Sequence, residues 1–164
     1  MIGYLRIGGA ILLMVAAVYG SYRYEKYINC RLAEYKGLIA LISHAQSKIS
    51  GFLSHGSRLW EGFSNEALES CGLLAALRSG ENLASALEGC KEKMSLSGSA
   101  RLDLAERLRG LGEGYMDSEL KILAGIKEHL TAELEVEIDK GEKNVKVARA
   151  LLLGGALAVM ILAL

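Results

Sequence analysis

The sequence predicts an all-α protein, a helical bundle anchored in a membrane at both ends. Three observations predict this class. Proline is absent from the 164 residues, and aromatic residues make up only 6%. Through the middle of the chain apolar residues recur at intervals of three and four, with almost no strand-like alternation. Both ends are runs without charge, residues 7–22 and 150–164, each bordered on its inner side by lysine and arginine.

The expected architecture has N- and C-terminal transmembrane helices continuous with two long helices. The long helices pair antiparallel, and short helices cap the pair. The boundaries are residues 1–22 for the first span, 23–149 for the bundle and 150–164 for the second span. A bilayer core of about 30 Å takes roughly 17–25 apolar residues in a helix. The first run reaches that length if residues 1–5 enter and Arg6 snorkels to the headgroups. The second does so if Val145, Val147 and Ala148 enter while Lys146 and Arg149 reach outward. Short spans are also accommodated by local thinning. Gly154 and Gly155 either admit a close partner helix or simply loosen the span.

Charge sets the orientation. Arg23, Lys26, Arg31, Lys36, Lys140, Lys143, Lys146 and Arg149 all flank the middle, while Arg6 is the distal cation. The positive-inside rule puts the middle in the cytoplasm and both tips outside. The rival for the first run is a cleaved leader, with small residues at Ala16 and Ala17. The basic residues directly after the run oppose its translocation.

Net charge is zero, so nucleic-acid binding is not indicated. The three cysteines, Cys30, Cys71 and Cys90, have no CxxC spacing and read as small buried apolar residues.

Taken in order, residues 31–53 form one helix with a stripe at Leu32, Tyr35, Leu38, Ile39, Ile42, Ala45 and Ile49, continued by Phe52 and Leu53. His44 lies on or near that face, and His55-Gly56-Ser57 is a turn. Residues 59–63 place Trp60 beside Phe63, as core anchors or as a partner-binding surface. Residues 65–77 form a second helix, ended by Ser79-Gly80. Asn82 caps a third, which carries Leu83, Ala86, Leu87 and Cys90 and closes at Met94. After a polar turn at 95–99, residues 100–111 form a fourth helix with Leu102, Leu104, Leu108 and Leu111 apolar. Gly110, Gly112 and Gly114 end it.

The last helix starts near 116–118 with the stripe Met116, Leu120, Leu123, Ile126, Leu130, Leu134 and Ile138. Gly125 and Gly141 only weaken it. Unbroken from Ser118, it extends roughly 70 Å. Along it run Glu133, Glu135, Glu137 and Asp139. Their two-residue spacing spreads charge over two faces, as a solvated surface or as docking points for a basic partner.

Motifs for chemistry are missing. There is no nucleotide loop, no HExxH and no GxSxG. His44, His55 and His129 are dispersed, and the His129–Glu133 spacing alone does not make a metal site. No carboxylate sits in an obviously apolar setting that would raise its pKa. An enzyme is not expected, and neither a cofactor nor a metal is called for.

The carboxy-terminal third carries a resemblance. Leu111-Gly112, then residues 119–123 (Glu-Leu-Lys-Ile-Leu), then the acidic helix, then Glu142-Lys143-Asn144 before the terminal run, are similar in order and spacing to the stage III sporulation protein AB family. Residues 79–87 also resemble a turn-and-helix of F-type platform domains, the inner-membrane platform proteins of type II secretion. The chain departs at His55-Gly56-Ser57, where many members carry prolines, and at Glu119, where glutamine is common. Its terminal glycines are shifted to 154 and 155.

The resemblance implies a two-pass protein of the mother-cell membrane during sporulation. It implies an F-type platform-like cytoplasmic bundle, a non-enzymatic subunit of the channel between mother cell and forespore. The implied partners are a secretion-type ATPase, other membrane subunits of the channel and the lipid bilayer, with homo-oligomers also open. The charge pattern nominates Glu133, Glu135, Glu137 and Asp139 as the docking residues. The alternative from another class is a membrane-anchored sensor or tether with a closed apolar pocket.

Overall fold

The structure is a computed structural model that describes residues 2–51, 59–108 and 115–163. The described chain is 85% helical and has no strand. Six helices follow one another: α1 (Ile2–Ser50), α2 (Glu66–Ser70), α3 (Leu73–Arg78), α4 (Leu83–Gly89), α5 (Gly98–Leu108) and α6 (Met116–Ala163). The two long helices are thus unbroken over 49 and 48 residues. The chain divides into two compact units. One comprises Met1–Asn29 with Glu137–Leu164, the other Cys30–Val136.

The Cys30–Val136 unit holds the hydrophobic core. Helix α1 contributes Tyr35, Leu38, Leu41, Ile42, Ala45 and Ile49, the stripe its spacing predicts. Leu123, Ile126 and Leu130 of α6 face the same core, and Leu68, Leu73, Leu74, Leu77, Leu83 and Leu87 fill it from the short helices. The Tyr35 hydroxyl donates to Glu133 Oε2 at 3.2 Å, which ties α1 to α6 within this unit. Leu59 and Trp60 are both buried, which makes Trp60 a core anchor. His44 Nε2 is 3.3 Å from the Glu61 carbonyl, and its ring stacks obliquely on Phe63 at 5.4 Å. His44 is a packed residue.

The short helices differ from expectation in three places, one of them the end of α4, which stops at Gly89, five residues before Met94. The second helix of residues 65–77 is two helices, α2 and α3. Gly72 adopts φ +85°, a left-handed conformation that ends α2 and starts α3. Cys71-Gly72 is thus a stop signal inside an otherwise continuous apolar pattern. Asn65 caps α2 through Leu68 N–H at 3.2 Å, and Asn82 caps α4 through Ser85 N–H at 2.7 Å. Ser97 accepts from Ala100 N–H at 3.2 Å, so α5 begins two residues before the expected start.

Gly37 explains how α2 reaches α1. A Cβ there would stand 2.7 Å from Asn65 Oδ1 and 2.9 Å from Leu68 Cγ. Only a residue without a side chain lets the capped end of α2 lie on α1.

Three further expectations are corrected. Leu102 is 58% exposed and does not join the core, unlike Leu104 and Leu108. Ile138 at the end of the α6 stripe is also exposed. Cys30 is exposed, whereas Cys71 and Cys90 are buried as expected. Burial pushes both of those thiols above their ordinary pKa. Phe52, Leu53, the turn at His55-Gly56-Ser57, Leu111 and the glycines at 110, 112 and 114 lie outside the described residues.

In the other unit, the starting part of α1 and the final part of α6 pair antiparallel. Arg149 donates to Glu25 Oε2 at 2.8 Å, and a Cβ on Gly20 would touch Leu152 at 3.8 Å. Gly141 is more than a weak point in α6, since a Cβ there would meet Ile28 Cγ2 at 2.9 Å. The helices are in close contact where Gly141 faces Ile28. Apolar side chains cover the outside of this unit. Ile11, Leu12, Val15 and Val18 on α1 are exposed, as are Leu151, Leu157, Val159 and Ile161 on α6. Gly154 and Gly155 have nothing within 4 Å of where a Cβ would be.

Among the described residues α6 is long and apolar enough to cross a membrane. An 18-residue window within Met116–Ile161 has a mean hydropathy of 1.6 and none of it is buried. Helix α1 is as long but does not meet that measure over its described residues.

Candidate docking site on the last helix

Helical geometry decides what the four acidic residues can do. At 100° per residue, Glu133 and Glu137 share one face of α6, and Glu135 and Asp139 share another. The exposures follow this division. Glu133 and Glu137 are half-buried, while Glu135 and Asp139 are exposed. The charge is therefore spread over two faces, as the spacing implies. The structure does not gather the four into one cluster. Glu133 and Glu135 belong to the Cys30–Val136 unit, and Glu137 and Asp139 to the other.

Glu133 is engaged inside the bundle. Besides the Tyr35 hydroxyl it has His129 Nε2 at 3.5 Å from Oε1. His129 Nε2 also stands 2.7 Å from Asp103 Oδ2 on α5, and Arg107 Nε donates to the same oxygen at 2.9 Å. These groups connect α5 to α6 and α6 to α1. The Arg107 guanidinium holds the Asp103 carboxyl below the usual carboxylate range, and His129 adds to the same effect. Asp103 is 43% exposed, so the link sets position more than stability.

Glu135 points the other way. It lines a shallow open groove with Gln46, Lys127, Glu128 and Thr131. Asp139 accepts from Lys143 at 2.7 Å, an exposed pair that a competing cation opens at little cost. Glu137 already interacts with a neighbouring group. Of the four, Glu135 and Asp139 present exposed carboxylates, whereas Glu133 is engaged with Tyr35 and His129.

One carboxylate contradicts the expectation that none lies in an apolar setting. Glu34 is buried on α1, beside the stripe residue Tyr35. Its two oxygens accept from Ser95 N–H at 2.9 and 2.8 Å, and Oε2 accepts from Leu96 N–H at 3.0 Å. Burial raises its pKa more than these N–H groups and Arg31 lower it. The signal was present in the sequence, because Glu34 lies four residues before Leu38 and seven before Leu41, on the apolar face. Its partners, 61 and 62 residues away, were not legible. The Asp103–His129 contact between two helices was equally hidden.

Among the described residues no group of three or more His, Cys, Asp or Glu is placed to hold a metal ion. The site consists of a helical bundle whose acidic last helix is itself long and apolar enough to cross a membrane. That makes the chain an all-helical protein with a candidate membrane span. The chain belongs to the stage III sporulation protein AB family, whose model matches residues 6–164. It is therefore a sporulation protein. Comparison with curated proteins gave no match, and comparison with solved structures gave none.

Proposed function

We propose that this chain is a non-enzymatic platform subunit of a type II secretion-like channel between mother cell and forespore. It sits in the mother-cell membrane as a two-pass protein with its F-type-like bundle in the cytoplasm. The observation that carries the reading is the family match over residues 6–164, combined with a unit that exposes apolar side chains on both long helices. An apolar surface of that kind on a water-soluble protein marks an interface with lipid or protein. Lipid accounts for both faces at once, with α1 crossing beside α6 despite its lower hydropathy. The bilayer boundaries then fall near residues 22 and 149.

The bundle docks a cytoplasmic secretion-type ATPase through exposed carboxylates of α6. Glu135 and Asp139 make the contact, and Glu133 and Glu137 hold the helix in register behind them. The experiment is a pull-down of that ATPase by the full chain in detergent. Reversal of Glu135 and Asp139 to lysine abolishes capture, whereas Leu102→Lys on α5 leaves it intact. Capture unchanged by the reversals removes the docking assignment.

A further inference from the structure

The unit of Met1–Asn29 and Glu137–Leu164 arranges its exposed side chains in the order of a lipid leaflet. Along α1, exposed Leu12, Val15 and Val18 are followed by exposed Tyr19 and Tyr22, then by Arg23 and Lys26. Along α6, read from its end, exposed Ile161, Leu157 and Leu151 are followed by Arg149, Lys146, Lys143 and Lys140. Apolar, aromatic and cationic groups follow the chain interior, interface and headgroup zones of a bilayer.

The cations divide into two sets. Arg149 pairs with Glu25 at 2.8 Å, Lys143 with Asp139 at 2.7 Å and Lys146 with Glu142 at 3.8 Å. Arg23, Lys26 and Lys140 are exposed, and among the described residues none has a carboxylate within ion-pair distance. On α1, Arg23 and Lys26 lie on the side away from Ala17, Ser21 and Ile28, which are buried. A zero net charge for the whole chain therefore hides a local excess of uncompensated cations beside an apolar surface.

We propose that Arg23, Lys26 and Lys140 form a collar that binds the anionic phospholipid headgroups of the leaflet the unit enters. The chain accordingly prefers a negatively charged membrane to a neutral one. This rests on the reading that the unit is embedded in lipid. A cation close to an anionic surface contributes about fivefold in affinity. A bilayer supplies the apolar, aromatic-compatible and anionic zones in the required order, which a soluble acidic protein does not.

The test uses the full chain in phosphatidylcholine vesicles, with and without phosphatidylglycerol. Spin-labelled phosphatidylglycerol and phosphatidylcholine report which lipid is held at the protein. The expected result is enrichment of phosphatidylglycerol by about fivefold or more, reduced by added sodium chloride. The triple variant Arg23→Gln, Lys26→Gln, Lys140→Gln falls to near parity. A control with the same charge loss elsewhere, Lys91→Gln, Lys93→Gln, Lys121→Gln, keeps the preference. Inorganic phosphate at matched ionic strength leaves it unchanged, since the ligand is a headgroup in a leaflet. Parity in the unaltered chain overturns the proposal, as does a preference kept by the collar variant, lost by the control or abolished by phosphate. Flotation separates the two levels. A chain that floats with vesicles but shows no lipid preference sinks the collar alone, and a chain that never floats sinks the embedding.

Discussion

The two units use the same two helices in opposite ways. In the Cys30–Val136 unit, α1 is apolar on one stripe, and Leu41 on that stripe is 0% exposed. In the other unit residues 7–22 of α1 carry no charge, and Leu12 is 72% exposed. A stripe at helical spacing serves a helix with water on its far side, whereas apolarity on every side serves one with no water around it. A single helix thus states in its own sequence where its surroundings change.

The comparison predicts that equal truncations have unequal effects. Leu41→Ala removes a fully buried side chain and lowers the stability of the bundle by about 2–5 kcal/mol. Leu12→Ala leaves the same unfolding transition unmoved. Denaturant unfolding of the full chain in micelles, followed by the fluorescence of buried Trp60, reads both. Equal losses would erase the distinction between the units.

Glu34→Ala orphans the N–H groups of Ser95 and Leu96, with an expected loss of about 1–3 kcal/mol in the same assay. The pH dependence sharpens the point. A carboxyl whose folded pKa is raised favours folding while protonated. Its contribution is complete below the unfolded pKa and fades as pH rises through the folded one. The unaltered chain should therefore lose stability relative to Glu34→Gln as pH rises from acid towards neutrality. The opposite trend would mean that the N–H bonds outweigh burial. Gly37→Ala drives a methyl into Asn65 and Leu68 and costs about 1–3 kcal/mol, while Gly125→Ala, with open space around it, costs nothing or stabilises.

The sequence made the helices legible because period and caps are local. The α1 core stripe, the Asn82 cap and the long α6 all follow from neighbours within a turn or two. The errors have two sources. Gly72 leaves no mark on the apolar pattern of residues 65–77, and Gly141 by propensity only weakens α6, although each answers a demand for backbone freedom or for space. Contacts between distant residues account for the rest. Glu34 with Ser95 and Leu96, and Asp103 with His129, depend on how the helices pack, which no periodicity encodes. The acidic positions were legible as a pattern over two faces. Which face would be drawn into packing required the Tyr35 hydroxyl on Glu133.

Native cysteines test the topology most directly, because only Cys30 is exposed while Cys71 and Cys90 are buried. A membrane-impermeant maleimide applied to intact sporulating cells should leave the protein unlabelled. After permeabilisation Cys30 should label, and Cys71 and Cys90 only on unfolding. Labelling of Cys30 in intact cells would place the bundle on the outer side of the membrane and contradict the cytoplasmic platform.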